Sequence, residues 1–157
     1  MGMLKLDVDN EHITGCISSD LSCVELVAHL VSDILSYDRV HDATKPVLVV
    51  RELLKNAVIH GNRENPDLEV SFAIEKPPGG RFTITVTDKG EGFDYTQFMR
   101  HIPLDPRRDH RMGYAIISNF SDSIAFRDKG ASVTVTVRLD EVCGGEEREG
   151  SAASTGV

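Results

Sequence analysis

Three polar residues recur at every fourth position in the stretch RELLKNAVIHGN, residues 51–62. They are Glu52, Asn56 and His60, and at 100° per residue they fall on one side of a helix. Apolar neighbours flank them, so this side is expected to face a pocket. A carboxylate and a carboxamide one turn apart, half sheltered from water, could serve as a base for a water or hydroxyl and as an oxygen ligand for a hard cation. The opposite side of the helix is an apolar stripe formed by Val47, Val50, Leu54, Ala57, Val58 and Gly61.

A structural interpretation of the same residues stays open. Glu52 could form a salt bridge with Lys55 or Arg51, and Asn56 could hydrogen-bond a loop. The spacing alone therefore indicates a sheltered polar stripe without deciding its chemistry.

A second group of residues follows a predicted strand in VTDKGEGFD, residues 86–94. Asp88 ends the strand, and Gly90 and Gly92 let the backbone turn tightly and approach a ligand. A carboxylate in that position can accept a hydrogen bond from an exocyclic amine such as that of adenine. The alternative is an ordinary acidic turn.

The third group lies in RRDHRMGYAIISNF, residues 107–120. Gly113 is predicted to begin a helix whose first free N–H groups could bind a phosphate, with Arg107, Arg108 and Arg111 within reach of the same anion. Solvated loop charge would give the same pattern, so this motif also remains ambiguous by itself.

Two predicted helices must position these groups. Residues 22–35 are apolar at helical spacing, and Ser22 with Glu25 has the spacing of a capping box. The next helix is predicted to open near Thr44, to carry Pro46 in its first turn, and to close around residues 61–62 with a left-handed cap.

Alternating apolar residues predict the strands. A strand pair is expected near residues 4–18, a hairpin at 68–86, and two more strands at 123–127 and 131–139, with a loop at 99–111 and a short helix after it. Each predicted strand of the C-terminal half has one apolar face, and each predicted helix has one apolar stripe. We therefore expect a two-layer α/β (α+β) sandwich in which helices cover one face of a mixed, mostly antiparallel sheet.

Composition limits the functional classes. The chain has 157 residues, 40% of them hydrophobic, and a formal charge of −8, which predicts a single domain without a broad affinity for nucleic acid or anionic membranes. Three cysteines and no apolar run of membrane-spanning length favour a soluble cytoplasmic protein with free thiols. Residues 1–140 are predicted to form the domain, and the small, polar segment 141–157 is predicted to be disordered.

Together, in this order, the three groups resemble the Bergerat ATP-binding fold of the GHKL family. The most similar members are the bacterial anti-sigma factor serine/threonine kinases of the sporulation and general-stress switches. RELLKNAVIHGN is similar to the family's N box, DKGEGF to its first glycine box, and RMGYAIISNFSD to its second glycine box with the following helix. The resemblance spans about residues 18–139.

The resemblance implies roles for individual residues. Glu52 would be the general base, and Asn56 would ligate Mg²⁺ that bridges the phosphates of ATP or ADP. Asp88 would bind adenine. The other implied nucleotide-binding positions are His60, Gly90, Gly92, Phe93, Arg108, Arg111 and Gly113.

The resemblance also implies partners, a sigma factor and a STAS-type anti-anti-sigma protein that would be phosphorylated on serine or threonine. A homodimer through the N-terminal strand is a further implication. The second box departs from the family pattern because Arg111 stands where its first glycine is usual. This departure favours an alternative, a nucleotide-gated binding module without kinase activity, and a scaffold that binds no nucleotide is a third hypothesis.

Overall fold

The computed structural model describes residues 2–76, 79–95 and 109–139, with the backbone alone for 109–112. Its strands are β1 Leu4–Val8, β2 His12–Ser18, β3 Glu69–Glu75, β4 Arg81–Thr87, β5 Ser123–Arg127 and β6 Ser132–Arg138. Its helices are α1 Leu21–Tyr37, α2 Thr44–Asn56 and α3 Asp109–Phe120, with a π turn at Ala57–Gly61 and a 3₁₀ turn at Asp128–Gly130. The strand pair, both hairpins and the three helices match the predicted elements.

The six strands form one sheet in the order β1-β2-β3-β4-β6-β5. Every pairing between the described strands is antiparallel. The sheet was expected to be mixed and mostly antiparallel, and its described part is antiparallel throughout. α3 follows β4 in the chain, and the next strand, β5, forms the edge of the sheet. The last strand, β6, then lies between β5 and β4. The predicted two-layer α+β sandwich is confirmed.

Period-two alternation separates the two faces of the sheet. One face packs on the helices, and its residues are buried: Ile13, Ile17, Val70, Phe72, Ile74, Phe82, Ile84, Val86, Val133, Val135 and Val137. The other face carries cross-strand hydroxyl pairs between β4 and β6. These pairs are Thr83–Thr136 at 3.2 Å, Thr85–Thr134 at 2.9 Å and Thr87–Ser132 at 3.0 Å.

The cap of α1 differs from the prediction. Asp20 is the N-cap, and its carboxylate accepts a hydrogen bond from the Ser22 N–H at 2.8 Å. The predicted capping box of Ser22 and Glu25 is therefore wrong. Glu25 instead accepts a hydrogen bond from Arg51 Nε of α2 at 3.0 Å, which ties the two helices together.

The end of the α2 segment also differs. The predicted left-handed cap at residues 61–62 is wrong, because Asn62 has φ −87° and the positive φ values fall at Arg63 and Glu64, 53° and 55°. The helix widens into the π turn before the chain reverses. Gly61 instead packs against Asp88, and Asn62 forms side-chain hydrogen bonds inside the protein.

Some predicted segments lie outside the described residues. They include most of the loop at 99–111 and the segment 141–157. The third helix runs from Asp109, so Gly113 lies in its second turn and does not begin it. Within the described part of the chain, none of the helices has the length and apolarity needed to cross a membrane.

The core predicts a sharp contrast between two leucines. Leu54 on α2 is fully buried, whereas Leu26 on α1 is 56% exposed. Leu54→Ala is expected to lower the free energy of unfolding by about 2–5 kcal/mol because it leaves a cavity. Leu26→Ala should change it by about 0.5 kcal/mol. Urea unfolding followed by circular dichroism measures both, and equal losses would contradict the proposed packing of α2.

Candidate functional site

A cavity of about 330 Å³ opens between α2 with its π turn, the ends of β4 and β6, and the second turn of α3. Its wall is mostly apolar, with four side chains that carry polar groups and several small residues, a composition typical of small-molecule sites. The lining residues are Leu53, Asn56, Ala57, His60, Gly61, Val86, Asp88, Gly92, Phe93, Tyr114, Gly130, Ala131 and Val133.

Glu52 and Asn56 lie where α2 meets α3. Glu52 is only 9% exposed, and an ideal Cβ built on Gly113 would stand 2.7 Å from its Oε2 and 3.5 Å from Asn56 Oδ1. A larger residue at position 113 would therefore displace the carboxylate. Lys55 Nζ lies 3.5 Å from Glu52 Oε1, so the salt bridge considered from the sequence is present in a long, half-exposed form.

The Asn56 amide supplies the strongest sign of a missing partner. Its Nδ2 is buried and has no hydrogen-bond partner among the described residues. Leaving such a group unsatisfied costs about 1–3 kcal/mol, and native proteins keep few of them outside functional sites. We conclude that this end of the cavity suits a polar ligand.

Asp88 is a second polar residue on the cavity wall. Its N–H donates to the Ala131 carbonyl at 2.9 Å, and its Oδ1 accepts from the Gly90 N–H at 2.8 Å. Burial raises the pKa of the Asp88 carboxyl above its ordinary value, although the Gly90 hydrogen bond opposes the shift. Asp88 lines the cavity, and a partly desolvated carboxylate is a strong acceptor for an amine.

Two glycines allow the Asp88 loop to sit against the π turn. A Cβ on Gly61 would lie 2.3 Å from Asp88 Cγ, and a Cβ on Gly90 would lie 2.3 Å from the Gly61 carbonyl oxygen. Both distances are far below van der Waals contact. The side chain of Asp88 can therefore occupy this position only because residues 61 and 90 have no side chain.

The π turn places His60 and Gly61 on the cavity wall. π turns inserted into α-helices occur frequently at functional sites, because the extra residue shifts the side chains that follow. His60 lines the cavity although its side chain is largely exposed. The four-residue spacing of the sequence predicted the side of the helix but not the widened turn.

An aromatic cluster borders the cavity. Phe93 lies 5.9 Å from Tyr114 and 5.8 Å from Phe126 between ring centroids, and Tyr95 stacks on Phe126 at 4.6 Å. Burial, and secondarily the charge of Asp88, raise the pKa of the Tyr114 hydroxyl well above its ordinary value. Tyr114 is a cavity residue that the sequence motifs did not predict, although an aromatic residue directly after the glycine of the second box was a usable signal.

The described structure brings most of the predicted site residues together. Those on the cavity wall are Asn56, His60, Asp88, Gly92 and Phe93, and those directly behind it are Glu52, Gly90 and Gly113. Arg107 and Arg108 lie outside the described residues, as does the side chain of Arg111. Within the described ranges, no three histidine, cysteine, aspartate or glutamate residues cluster as a metal site.

Comparison with known proteins identifies the family. The model of the histidine kinase-like ATPase domain matches residues 17–138, which is most of the chain. The chain therefore belongs to the histidine kinase-like ATPase family, and the predicted GHKL relationship is confirmed.

Two relatives specify the resemblance within that family. The chain is 33% identical over 94 residues to an anti-sigma F factor from Heyndrickxia coagulans, an alignment that covers 58% of this chain and 63% of that protein. It is 24% identical over 123 residues to the serine-protein kinase RsbW of Staphylococcus aureus, strain MSSA476, which covers 72% and 76% respectively. The chain thus spans somewhat less than two thirds of the first relative, and resembles anti-sigma factor kinases.

The opposite environments of two aspartates give a test of the site. Hydrogen bonds from Ser22 hold the pKa of the exposed Asp20 below its ordinary value, whereas burial raises that of Asp88. Carboxyl-carbon NMR across a pH titration should show Asp88 titrating at higher pH than Asp20. Identical midpoints would contradict the burial of Asp88.

The same shift predicts an effect on stability. A carboxyl with a raised pKa in the folded state favours folding when protonated, and this contribution is lost as the pH rises through the folded-state pKa. Asp88→Asn removes the buried charge, so we expect a higher free energy of unfolding than wild type at pH 7 and a smaller difference in acid. Urea denaturation at both pH values measures it.

Proposed function

We propose that this chain is an anti-sigma regulatory kinase that binds ATP and phosphorylates a serine or threonine of a STAS-type anti-anti-sigma protein. The observation that carries the proposal is a cavity whose wall includes both Asp88 and Asn56, with Glu52 beside Asn56 at Gly113. The relatives named an anti-sigma F factor and a serine-protein kinase support the same class.

Adenine would occupy the apolar part of the cavity. Leu53, Ala57, Val86 and Val133 supply flat hydrophobic contact, and the Asp88 carboxylate would accept a hydrogen bond from the exocyclic amine. Guanine carries a carbonyl oxygen at the corresponding ring position, which would face the carboxylate unfavourably. This arrangement supports a preference for adenine nucleotides.

The Glu52–Asn56 end fits Mg²⁺ held jointly by protein and phosphates. Mg²⁺ usually takes few protein ligands and completes its shell with water and phosphate oxygens, so one amide oxygen beside one carboxylate is sufficient. Asn56 is the proposed ligand through its Oδ1, and its unpartnered Nδ2 would donate a hydrogen bond to a phosphate oxygen. When bound, the cation would neutralise the charge of the phosphates during transfer.

Glu52 is the proposed base. In transfer, a bond forms between the partner's hydroxyl oxygen and the γ-phosphorus, the bond from that phosphorus to the ADP oxygen breaks, and the hydroxyl proton goes to Glu52. Lys55 Nζ lies 3.5 Å from Glu52 Oε1 and is the nearest ion-pair partner of this carboxylate among the described residues. Most of the rate would come from holding the two reactants in place, as in other phosphoryl transfers.

One observation favours the alternative of a nucleotide-gated binding module. Arg111 replaces the usual first glycine of the second box, and this segment is helical from Asp109 onwards instead of forming a glycine-rich turn. The adenine end does not depend on that segment. A protein with this arrangement could bind ATP and a partner without transferring phosphate.

Labelled ATP with Mg²⁺ and a panel of STAS-type proteins distinguishes the two functions. We expect transfer of label to one partner, and Glu52→Gln should reduce the rate at least about 100-fold while leaving ADP affinity within a few fold. Glu64→Gln, a change to an exposed glutamate, is the matched control and should have no effect. ADP binding without label on any partner would support the module instead.

We also propose that β1 forms a homodimer contact. It is a sheet edge whose backbone is open to pairing, and Met3, Leu6 and Val8 are 45%, 40% and 52% exposed beside it.

Sedimentation equilibrium tests this contact. Leu6→Lys should convert a dimer to a monomer, because a charge at a buried strand interface is strongly unfavourable. Leu26→Lys, at an exposed leucine of α1, should leave the mass unchanged. A wild-type protein that is monomeric at 100 μM would contradict the proposal.

A further inference from the structure

Asn62 is the most completely satisfied buried polar side chain near the site. It is 1% exposed, and both hydrogens of its Nδ2 are used, one donated to Ser19 Oγ at 2.9 Å and one to the Glu69 carbonyl at 3.1 Å. Its Oδ1 accepts from the Lys89 N–H at 2.7 Å. One amide thus joins the start of α1, the start of β3 and the loop after β4.

The bond to Lys89 acts on the residue beside it. The Lys89 N–H belongs to the peptide that leaves Asp88, and the N–H of Asp88 itself is held by the Ala131 carbonyl at 2.9 Å. The backbone is therefore fixed on both sides of the Asp88 Cα. With φ and ψ fixed there, the direction of the Asp88 Cα–Cβ bond is fixed, and the Gly90 N–H bond and the packing on Gly61 restrain the carboxylate itself.

The anchoring of Asn62 makes it a rigid support. Ser19 accepts from Asn62 and donates to the Leu68 carbonyl at 2.7 Å, so the amide is held by β3 through two routes. Gly61, the preceding residue, packs its backbone against the Asp88 carboxylate. Residues 61 and 62 therefore hold the side chain and the backbone of the same aspartate.

We propose that Asn62 is a positioning residue for base recognition, holding the Asp88 carboxylate where it meets the exocyclic amine of adenine. The inference rests on the proposed nucleotide site. It adds that discrimination for the amine depends on a residue that does not touch the nucleotide.

The test compares two ligands in isothermal titration calorimetry, ADP and purine riboside 5′-diphosphate, which lacks the amine. Asn62→Ala should weaken ADP binding about tenfold, the range expected for one lost hydrogen bond to a charged group, and weaken the purine analogue less than about twofold. Equal losses for both ligands would show a merely structural role and overturn the inference.

Asp88→Asn separates this inference from the function on which it rests. That variant should abolish the preference for ADP over the analogue. If it leaves the preference intact, the proposed adenine site is wrong. If Asp88→Asn removes the preference and Asn62→Ala does not, the site stands and the role of Asn62 is refuted.

Two further variants separate an effect on folding or stability from an effect on base recognition. If Asn62→Ala does not fold, Ser19→Ala decides the question, because the amide loses one of its supports and then holds the Lys89 N–H less firmly. A reduced preference for ADP supports the inference, and an unchanged preference overturns it. Thr83→Val removes a hydroxyl pair on the far face of the sheet and should lower stability without altering the preference.

Discussion

The close approach of two backbone segments, at Gly61 and Gly90, sets the geometry of the whole site. A Cβ on Gly90 would stand 2.3 Å from the Gly61 carbonyl oxygen, so any other residue would push the segments apart. α2 carries Glu52 and Asn56, and the loop after β4 carries Asp88. The contact between residues 61 and 90 therefore fixes how far apart the two polar ends of the cavity lie.

Three polar side chains around this contact, the buried Asn62 and the half-buried Asp88 and Asn56, differ in how many of their polar atoms have hydrogen-bond partners. Asn62 has a partner for each hydrogen of its amide, Asp88 accepts one N–H but is desolvated, and Asn56 retains a buried nitrogen without a partner among the described residues. Burying incompletely paired polar groups opposes folding. Asn62 therefore has a structural role, whereas Asp88 and Asn56 keep hydrogen-bonding groups with which a ligand could pair.

The sequence predicted the features that depend on local repetition. Strand alternation gave all six strands, and helical spacing placed Glu52, Asn56 and His60 on one side of α2. It missed features that depend on contacts across the chain. Nothing local distinguishes Asn62 from a turn residue, because its partners Ser19 and Lys89 lie 43 and 27 residues away.

The wrong prediction of a capping box at the start of α1 also came from reading local spacing alone. Ser22 and Glu25 have the correct spacing for a capping box, but Asp20 lies nearer to the true start of the helix and competes for the same N–H groups. The start of the third helix was misplaced because glycine is a sign of a turn in sequence. In the fold, Gly113 is needed within the helix, where a side chain would strike Glu52.

The proposed adenine site and the proposed transfer site depend on different parts of the structure. Adenine bound at Asp88 would rely on the sheet, the π turn and Asn62, which are all in place in the described structure. The proposed transfer would require a second protein's hydroxyl to reach Glu52, which is 9% exposed and lies against α3 at Gly113. We therefore expect the two proposed activities to be separable, with transfer alone limited by access to that carboxylate.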